Sequence, residues 1–299
     1  MSARPTNIAA SIRHRLLNLS KERGEPFNLI LDRFAAERLL YRLSVSPYID
    51  RFVLKGALLF LLWSESLYRP TRDVDLLGFG ESTIEELAKV FREVCRIAGP
   101  DDGLVFDADS VEGVTIREDQ TYEGVRITLL AFLGTARISM QIDIGFGDAI
   151  TPKAEVVEFP ATLATAGLPG AKLRAYPRET VIAEKLEAMV RLGLANSRMK
   201  DFHDVSVLAR NFSFDGMALA EAIANTFTRR ETAVPKDTPV ALTAEFARDR
   251  TKIAQWAAFQ KRAKAPPADL LARFTLPIFA TICKCAEFRQ QWPAGGTWS

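Results

Sequence analysis

The chain has 299 residues, 48% of them hydrophobic and 25% charged, the composition of an ordinary globular protein with room for one large or two smaller domains. Its 39 basic and 37 acidic residues leave a net charge of +2, which excludes a surface that grips nucleic acid all over but leaves local basic patches open. Three cysteines, an odd and sparse set, point to a reducing compartment, and two histidines argue against a histidine-based zinc site. Cys283 and Cys285 have no neighbouring His or second Cys pair and would point apart on a helix, so no metal is expected there. The longest apolar run, Phe52 to Trp63, is broken by Lys55-Gly56 and is too short to span a membrane. The N-terminal segment lacks an apolar targeting stretch and a cleavage site, so the protein is expected to be soluble and cytoplasmic.

Residues 1–24 read as an amphipathic helix with Ile8, Ile12, Leu16 and Leu19 on one face. A second helix covers about 28–44, with Leu31, Phe34, Ala35, Leu39 and Leu43 near one stripe and Ser46-Pro47 ending the run. Phe52-Val53-Leu54 is a short strand, Gly56 permits a tight turn, and Ala57 to Trp63 begins a helix. Val74 to Leu77 is a second strand, closed by Gly78 and Gly80. Residues 82–99 form a helix capped by Ser82, with Glu85 and Glu86 in its first turns and Gly99 as its stop. The period then changes to that of strands over 111–118, 123–134, 136–148 and 154–160, with Gly, Asp or Pro between the runs. From about Tyr176 the pattern is almost wholly helical, over 177–193, 199–212, 216–230, 243–263 and 266–292. The composition shift near 160–176 is the best domain boundary, giving one domain over 1–165 and a helical domain over 166–299. The expected class is α+β, a mixed-sheet domain with flanking helices followed by a helical C-terminal domain.

Two aspartates, Asp73 and Asp75, sit one residue apart on the second strand. Residues i and i+2 of a strand share a face, so both carboxylates aim the same way while Val74 and Leu76 point into the core. Adjacent carboxylates repel unless a cation lies between them, and oxygen ligands at this spacing suit magnesium. Asp143, between Ile142 and Ile144, is a third lone charge on an apolar strand, and three carboxylates from two strands can build a metal site. The Lys55-Gly56 turn between a strand and a helix offers backbone N–H groups to a phosphate. Plainer readings stand beside these: a solvated strand end for the aspartates and a close-packing role for Gly56.

A second anomaly lies in the helical half. Lys185 falls on the apolar stripe of Val181, Ile182, Leu186, Met189 and Leu192, where a lysine either snorkels to the edge or points into a polar cleft. Glu184 and Glu187 flank it as ordinary solvated neighbours. On the next helix Met199, Phe202, Val205 and Leu208 form the core face, with Asp201 on its flank and Asp204 beyond it. Either aspartate also suits a helix start. His203 reads as a surface or packing residue rather than a base.

The segments "RLLNLSKERG", "ERLLYRLSVSPYIDRFVLKGALLF", "YRPTRDVDLLGFG", "QIDIGFGDAITP", "AEKLEAMVRLG", "SRMKDFHDV" and "TFTRR" resemble, in order and spacing, the AbiEii/AbiGii toxin family of nucleotidyltransferases, including MenT-type toxins. The resemblance implies a nucleotidyltransferase-type sheet domain with a helical domain closing the active-site cleft. It implies transfer of nucleotides from an NTP with Mg2+, for MenT-type members to the 3′ acceptor end of tRNA, which blocks translation. A cognate antitoxin is implied too. Position by position, it assigns Lys55 and Gly56 to a phosphate-binding turn and Thr71 to a nucleotide-site hydroxyl two before the catalytic Asp73. It makes Asp73 and Asp75 metal ligands, Lys185 the helical-domain lysine and Asp201 the late acidic residue, with Asp204 competing for that role. The Lys-Gly-Ala turn departs from the pattern, which more often has a small hydroxyl or a second glycine.

The mechanism these readings support is in-line nucleotidyl transfer. Asp73 and Asp75 hold magnesium, and Asp143 completes the metal site or takes the proton of the acceptor hydroxyl. Lys185 neutralises phosphate charge, and Asp201 orients it or contacts the nucleotide. Candidate RNA-facing cations are Arg229, Arg230, Lys261, Arg262 and Lys264, with Arg13, Arg15, Lys21 and Arg23 on the first helix. The resemblance further suggests that an antitoxin phosphorylates Thr71, where a dianion would repel the NTP. Competing readings are a nucleotidyltransferase acting on a protein or small molecule, a metal-dependent glycosyltransferase, and a binding module with a vestigial site.

Overall fold

In the computed structural model, residues 7–64, 69–117, 123–163, 166–263 and 291–292 are described. Two compact units emerge, one of Met1–Gly147 with Glu155–Ala175, the other of Asp148–Ala154 with Tyr176–Ser299. The first is built on a seven-stranded mixed sheet and the second is mostly helical, an α+β arrangement.

In the first unit α1 (Ile8–Arg23) starts at Asn7, whose side chain accepts from the N–H of Ala10, and ends at Gly24 in the left-handed region. It buries Ile12 and Leu16, and the third buried position is Ser20 rather than Leu19; the Ser20 hydroxyl donates to the Glu25 carbonyl at 2.6 Å. Helix α2 (Phe27–Ser44) is buried around most of its circumference. That burial includes Glu37 and Arg38, which pair with each other. Glu37 also accepts from the N–H of Thr162, and Arg38 donates to the Pro169 carbonyl, so both charges are answered inside the core. The sheet comprises β1 (Phe52–Lys55), β2 (Val74–Gly78), β3 (Leu104–Arg117), β4 (Glu123–Leu133), β5 (Ala136–Phe146), β6 (Glu155–Phe159) and β7 (Ala171–Ala175), in the order β3-β4-β5-β2-β1-β7-β6. Between β1 and β2 lie a 3-10 turn, Ala57–Leu59, and the single helical turn α3 (Phe60–Trp63).

Strand β5 shows how the sequence sets the faces. Ile138, Met140, Ile142 and Ile144 are buried, and the residues between them carry the polar groups. Helix α4 (Ile84–Arg96) lies over β3 and β4, α2 lies over β5 and β7, and the two helices touch. Thr83, not Ser82, caps α4, which ends before Gly99 at Ile97.

Three strand features depart from the sequence pattern. β3 begins at Leu104 and carries a bulge between Asp107 and Glu112, where the Ser110 hydroxyl accepts from the N–H of Leu130. β7 lies within the segment read as a boundary; its sequence "AKLRA" has little strand propensity, and pairing with β1 and β6 decides its conformation. Gln291–Trp292 is a two-residue strand (β9) paired with β8 (Phe214–Asp215), where the periodicity suggested helix. The rest of the expected helix 266–292, with Cys283 and Cys285, lies outside the described residues.

The second unit contains α5 (Arg178–Leu192), α6 (Met199–Asn211), α7 (Gly216–Arg229), α8 (Ala244–Arg248) and α9 (Arg250–Ala263). The expected continuous helix 243–263 breaks at Asp249, whose extended backbone separates α8 from α9. Among the described residues no helix is long and apolar enough to cross a membrane.

The apolar face of α4 anchors it to the sheet, with Phe91 buried and its ring 5.8 Å from that of Phe52. Truncating such a ring leaves an unfilled cavity. Phe91→Ala is therefore expected to cost about 3–5 kcal/mol, read as a lower urea midpoint with an unchanged slope.

Candidate active site

Four charged side chains from four neighbouring strands fall on one line across the sheet. Lys55 on β1 is opposite Asp75 on β2, Asp75 is opposite Asp143 on β5, and Asp143 is opposite Arg126 on β4. Residues in register share a face, so the order cation, anion, anion, cation is presented on one side of the sheet. Asp73, just ahead of β2, lies on the same alternate set as Asp75. Two like-charged carboxylates side by side are unfavourable, and the flanking cations offset their repulsion.

The ends of the row are tightly fitted. Lys55 is buried at 6% exposure, and its ammonium reaches over β5, where a Cβ at Gly145 would stand 3.2 Å from Nζ. Gly56 has φ +77°, and a Cβ there would fall 1.9 Å from Asp75 Oδ2. Glycine at 56 is thus required by both backbone conformation and the Asp75 carboxylate lying over it.

Arg126 is a member of the row that the sequence reading missed. Its Nε and Nη2 donate to the two oxygens of Asp143, each at 2.8 Å, a bidentate pair that Gln141 extends with a third donation at 3.2 Å. The hydrogen bond to Asp143 raises the basicity of Arg126 further; burial opposes this, and the nearby charges of Asp143, Asp73 and Asp75 add to it. The signal was available, since Arg126 stands between buried Val125 and Ile127 as Asp143 stands between Ile142 and Ile144.

In the second unit Lys185 is no snorkelling residue. Its ammonium donates to Asp201 at 2.7 Å and to Asp204 at 2.9 Å, and Arg198 donates to the other Asp201 oxygen at 2.6 Å. Asp201 and Asp204 are both buried, so they act together on one lysine. Burial works against ionisation of Asp201, yet the cations of Lys185 and Arg198 outweigh it and hold the carboxyl below its ordinary value of 3.8. His203 is buried beside the Phe259 ring, a packing position.

Residues 38–282 match the family model described as nucleotidyl transferase AbiEii toxin, type IV toxin–antitoxin system. The chain belongs to this AbiEii nucleotidyltransferase toxin family. No curated protein matches it. Among solved structures it is similar to JHP933 from Helicobacter pylori, at 15% identity over 90% of each chain with a TM-score of 0.46. It is similar also to an H. pylori protein provisionally described as a nucleotidyltransferase, at 15% identity over 92% of this chain and 99% of that one, with a TM-score of 0.47.

The AbiEii family match contains every member of both clusters. A divalent ion would find hard oxygen donors in Asp73 and Asp75, the kind of set that magnesium supplements with water and phosphate oxygens. Asp143 is engaged by Arg126, and among the described residues no group of three or more His, Cys, Asp or Glu side chains is arranged to hold a metal. The aspartate pair fits the ion, while the third carboxylate is committed to a guanidinium. Thr71 is half-buried in the segment without regular secondary structure that leads to Asp73.

The basic residues divide. Arg13, Arg15, Lys21, Arg23, Arg229, Lys261 and Arg262 are exposed, and Lys264 lies outside the described residues. Arg230 corrects the expectation of an RNA-facing cation: it is 11% exposed and pairs with Asp148 at 3.0 Å, Glu187 at 2.9 Å and Glu184 at 3.6 Å. Glu187, expected as a solvated neighbour, is fully buried and accepts in addition from Arg191 and Thr232. Tyr176 is buried beside this group, and burial first, then Glu184 and Asp148, push its hydroxyl well above the ordinary tyrosine range.

Gly56→Ala is expected to displace Asp75 and to strain the backbone, which has φ +77° and ψ −157° there, by about 1–3 kcal/mol. Transfer activity should fall about 100-fold because the carboxylate is misplaced, a loss larger than the urea midpoint shift alone explains. The stabilising contribution of Asp201 is complete above its ordinary value of 3.8 and disappears as pH falls through the lower folded-state value. Asp201→Asn should therefore flatten the acid limb of stability below the ordinary value of 3.8, read from urea midpoints as the pH is lowered.

Proposed function

We propose that this AbiEii-family nucleotidyltransferase transfers nucleotides from a magnesium-bound NTP to an RNA acceptor, the 3′ end of tRNA, and so blocks translation. The observation that carries this reading is the in-register row Lys55–Asp75–Asp143–Arg126 with Asp73 beside it. A face of two carboxylates bracketed by cations suits a triphosphate and its metal better than it suits a neutral substrate.

In this reading Asp73 and Asp75 hold magnesium, which when bound supplies charge neutralisation and orientation of the phosphates. The Lys55-Gly56 turn lies against the phosphates, with Thr71 next to them. Lys185 is the cation that offsets the negative charge accumulating on the phosphates during transfer, and Asp201 and Asp204 keep it charged and fixed in direction. The acceptor 3′-hydroxyl oxygen bonds to the α-phosphorus, the α–β bridging bond breaks, and pyrophosphate departs. The hydroxyl proton passes to a carboxylate of the row. A cognate antitoxin would oppose the enzyme, and phosphate placed on Thr71 would set a dianion against the incoming triphosphate.

The test is incubation of total tRNA with each radiolabelled NTP, with and without magnesium. Asp73→Asn should abolish labelling while keeping the wild-type urea midpoint. Lys185→Ala should reduce it by about 100-fold or more, the loss expected for removing one preorganised charge donor of about 3 kcal/mol. Wild-type labelling by Asp73→Asn would overturn the metal assignment, and labelling of protein or metabolites in place of tRNA would overturn the acceptor.

A further inference from the structure

Arg126 takes no part in the reaction just described, yet both oxygens of Asp143 accept from it at 2.8 Å. A guanidinium is never deprotonated at physiological pH, so its positive charge stays beside the carboxylate until a competing anion draws it away. Its side chain is 36% exposed while that of Asp143 is 13% exposed, so the arginine has open space on one side and the carboxylate is largely enclosed. A divalent ion drawn to Asp73 and Asp75 therefore meets an Asp143 whose two oxygens are already occupied, next to a positive charge that repels it.

A triphosphate changes that balance. Its oxygens accept from a guanidinium in the same forked geometry as a carboxylate does. It also adds negative charge to the row, which favours the metal.

We propose that Arg126 is a resident counter-ion that keeps a divalent cation off Asp143 until a nucleoside triphosphate arrives, making metal binding by this chain nucleotide-dependent. This rests on the magnesium reading above. Without nucleotide the row is closed by its own two cations. With nucleotide the guanidinium moves from the carboxylate to a phosphate oxygen, and Asp143 joins Asp73 and Asp75. Arg126 is a positioning residue, since it acts through Asp143.

The experiment titrates Mn2+ into the full chain and reads free Mn2+ by electron paramagnetic resonance. Without nucleotide, Arg126→Gln should bind Mn2+ at least about tenfold more tightly than wild type, because one neighbouring positive charge is gone. The double variant Arg126→Gln/Asp143→Asn should lose that gain. Wild type should bind Mn2+ at least about tenfold more tightly when a non-hydrolysable NTP is present, after subtraction of Mn2+ held by the nucleotide alone. Equal or weaker affinity in folded Arg126→Gln overturns the proposal. Should that variant not fold, the wild-type comparison decides, and equal affinity with and without nucleotide overturns it. Failure of every protein to bind Mn2+ under both conditions instead removes the magnesium reading, and this inference with it.

Discussion

Carboxylates placed side by side on a sheet must have positive charge close at hand, and the first unit is arranged around that requirement. Asp75 and Asp143 are in register on parallel strands, with Lys55 and Arg126 in register on either side. The local anomalies follow from this. Gly56 lacks a side chain because Asp75 lies where one would be, and Gly145 leaves room for the Lys55 ammonium. The core face of the same strands is purely apolar at Val74, Leu76, Ile142 and Ile144, which fixes the register that brings the charges together.

The helical unit meets the same requirement with the signs reversed. One ammonium, Lys185, is answered by two buried carboxylates, one of which is answered in turn by Arg198. A second group joins Arg230 to Asp148, Glu184 and Glu187. Buried ion pairs give little net stability, because desolvation consumes most of the attraction, but removing one partner strands a charge. Their effect here is directional: Lys185 cannot rotate freely, and the segment from Asp148 is held to α5 and α7 through Arg230.

In the sheet the acids lie between cations, and in the helical unit one ammonium lies between acids, each arrangement using what its element's geometry does well. Alternate strand residues put carboxylates on one face, and residues three apart on a helix, Asp201 and Asp204, converge on one point.

Much of this was legible in the chain itself. Period-2 and period-3.6 patterning locate most strands and helices, Asp73, Asp75 and Asp143 stand out as charges on apolar strands, and Lys185 stands out as a charge on an apolar stripe. Those signals are local, since each depends on neighbours within a few residues. β7 was not legible, because a five-residue strand of weak propensity owes its conformation to partners far away in sequence. Nor was the fate of Arg230, which differs from exposed Arg229 only in what packs against it. Sequence alone thus determined the alternation that aims each acidic and basic group to one side of its own element. Only the tertiary structure decided which groups meet, setting Arg126 on Asp143 and both Asp201 and Asp204 on Lys185, because strand register and helix packing join residues that the chain keeps 16 to 19 positions apart.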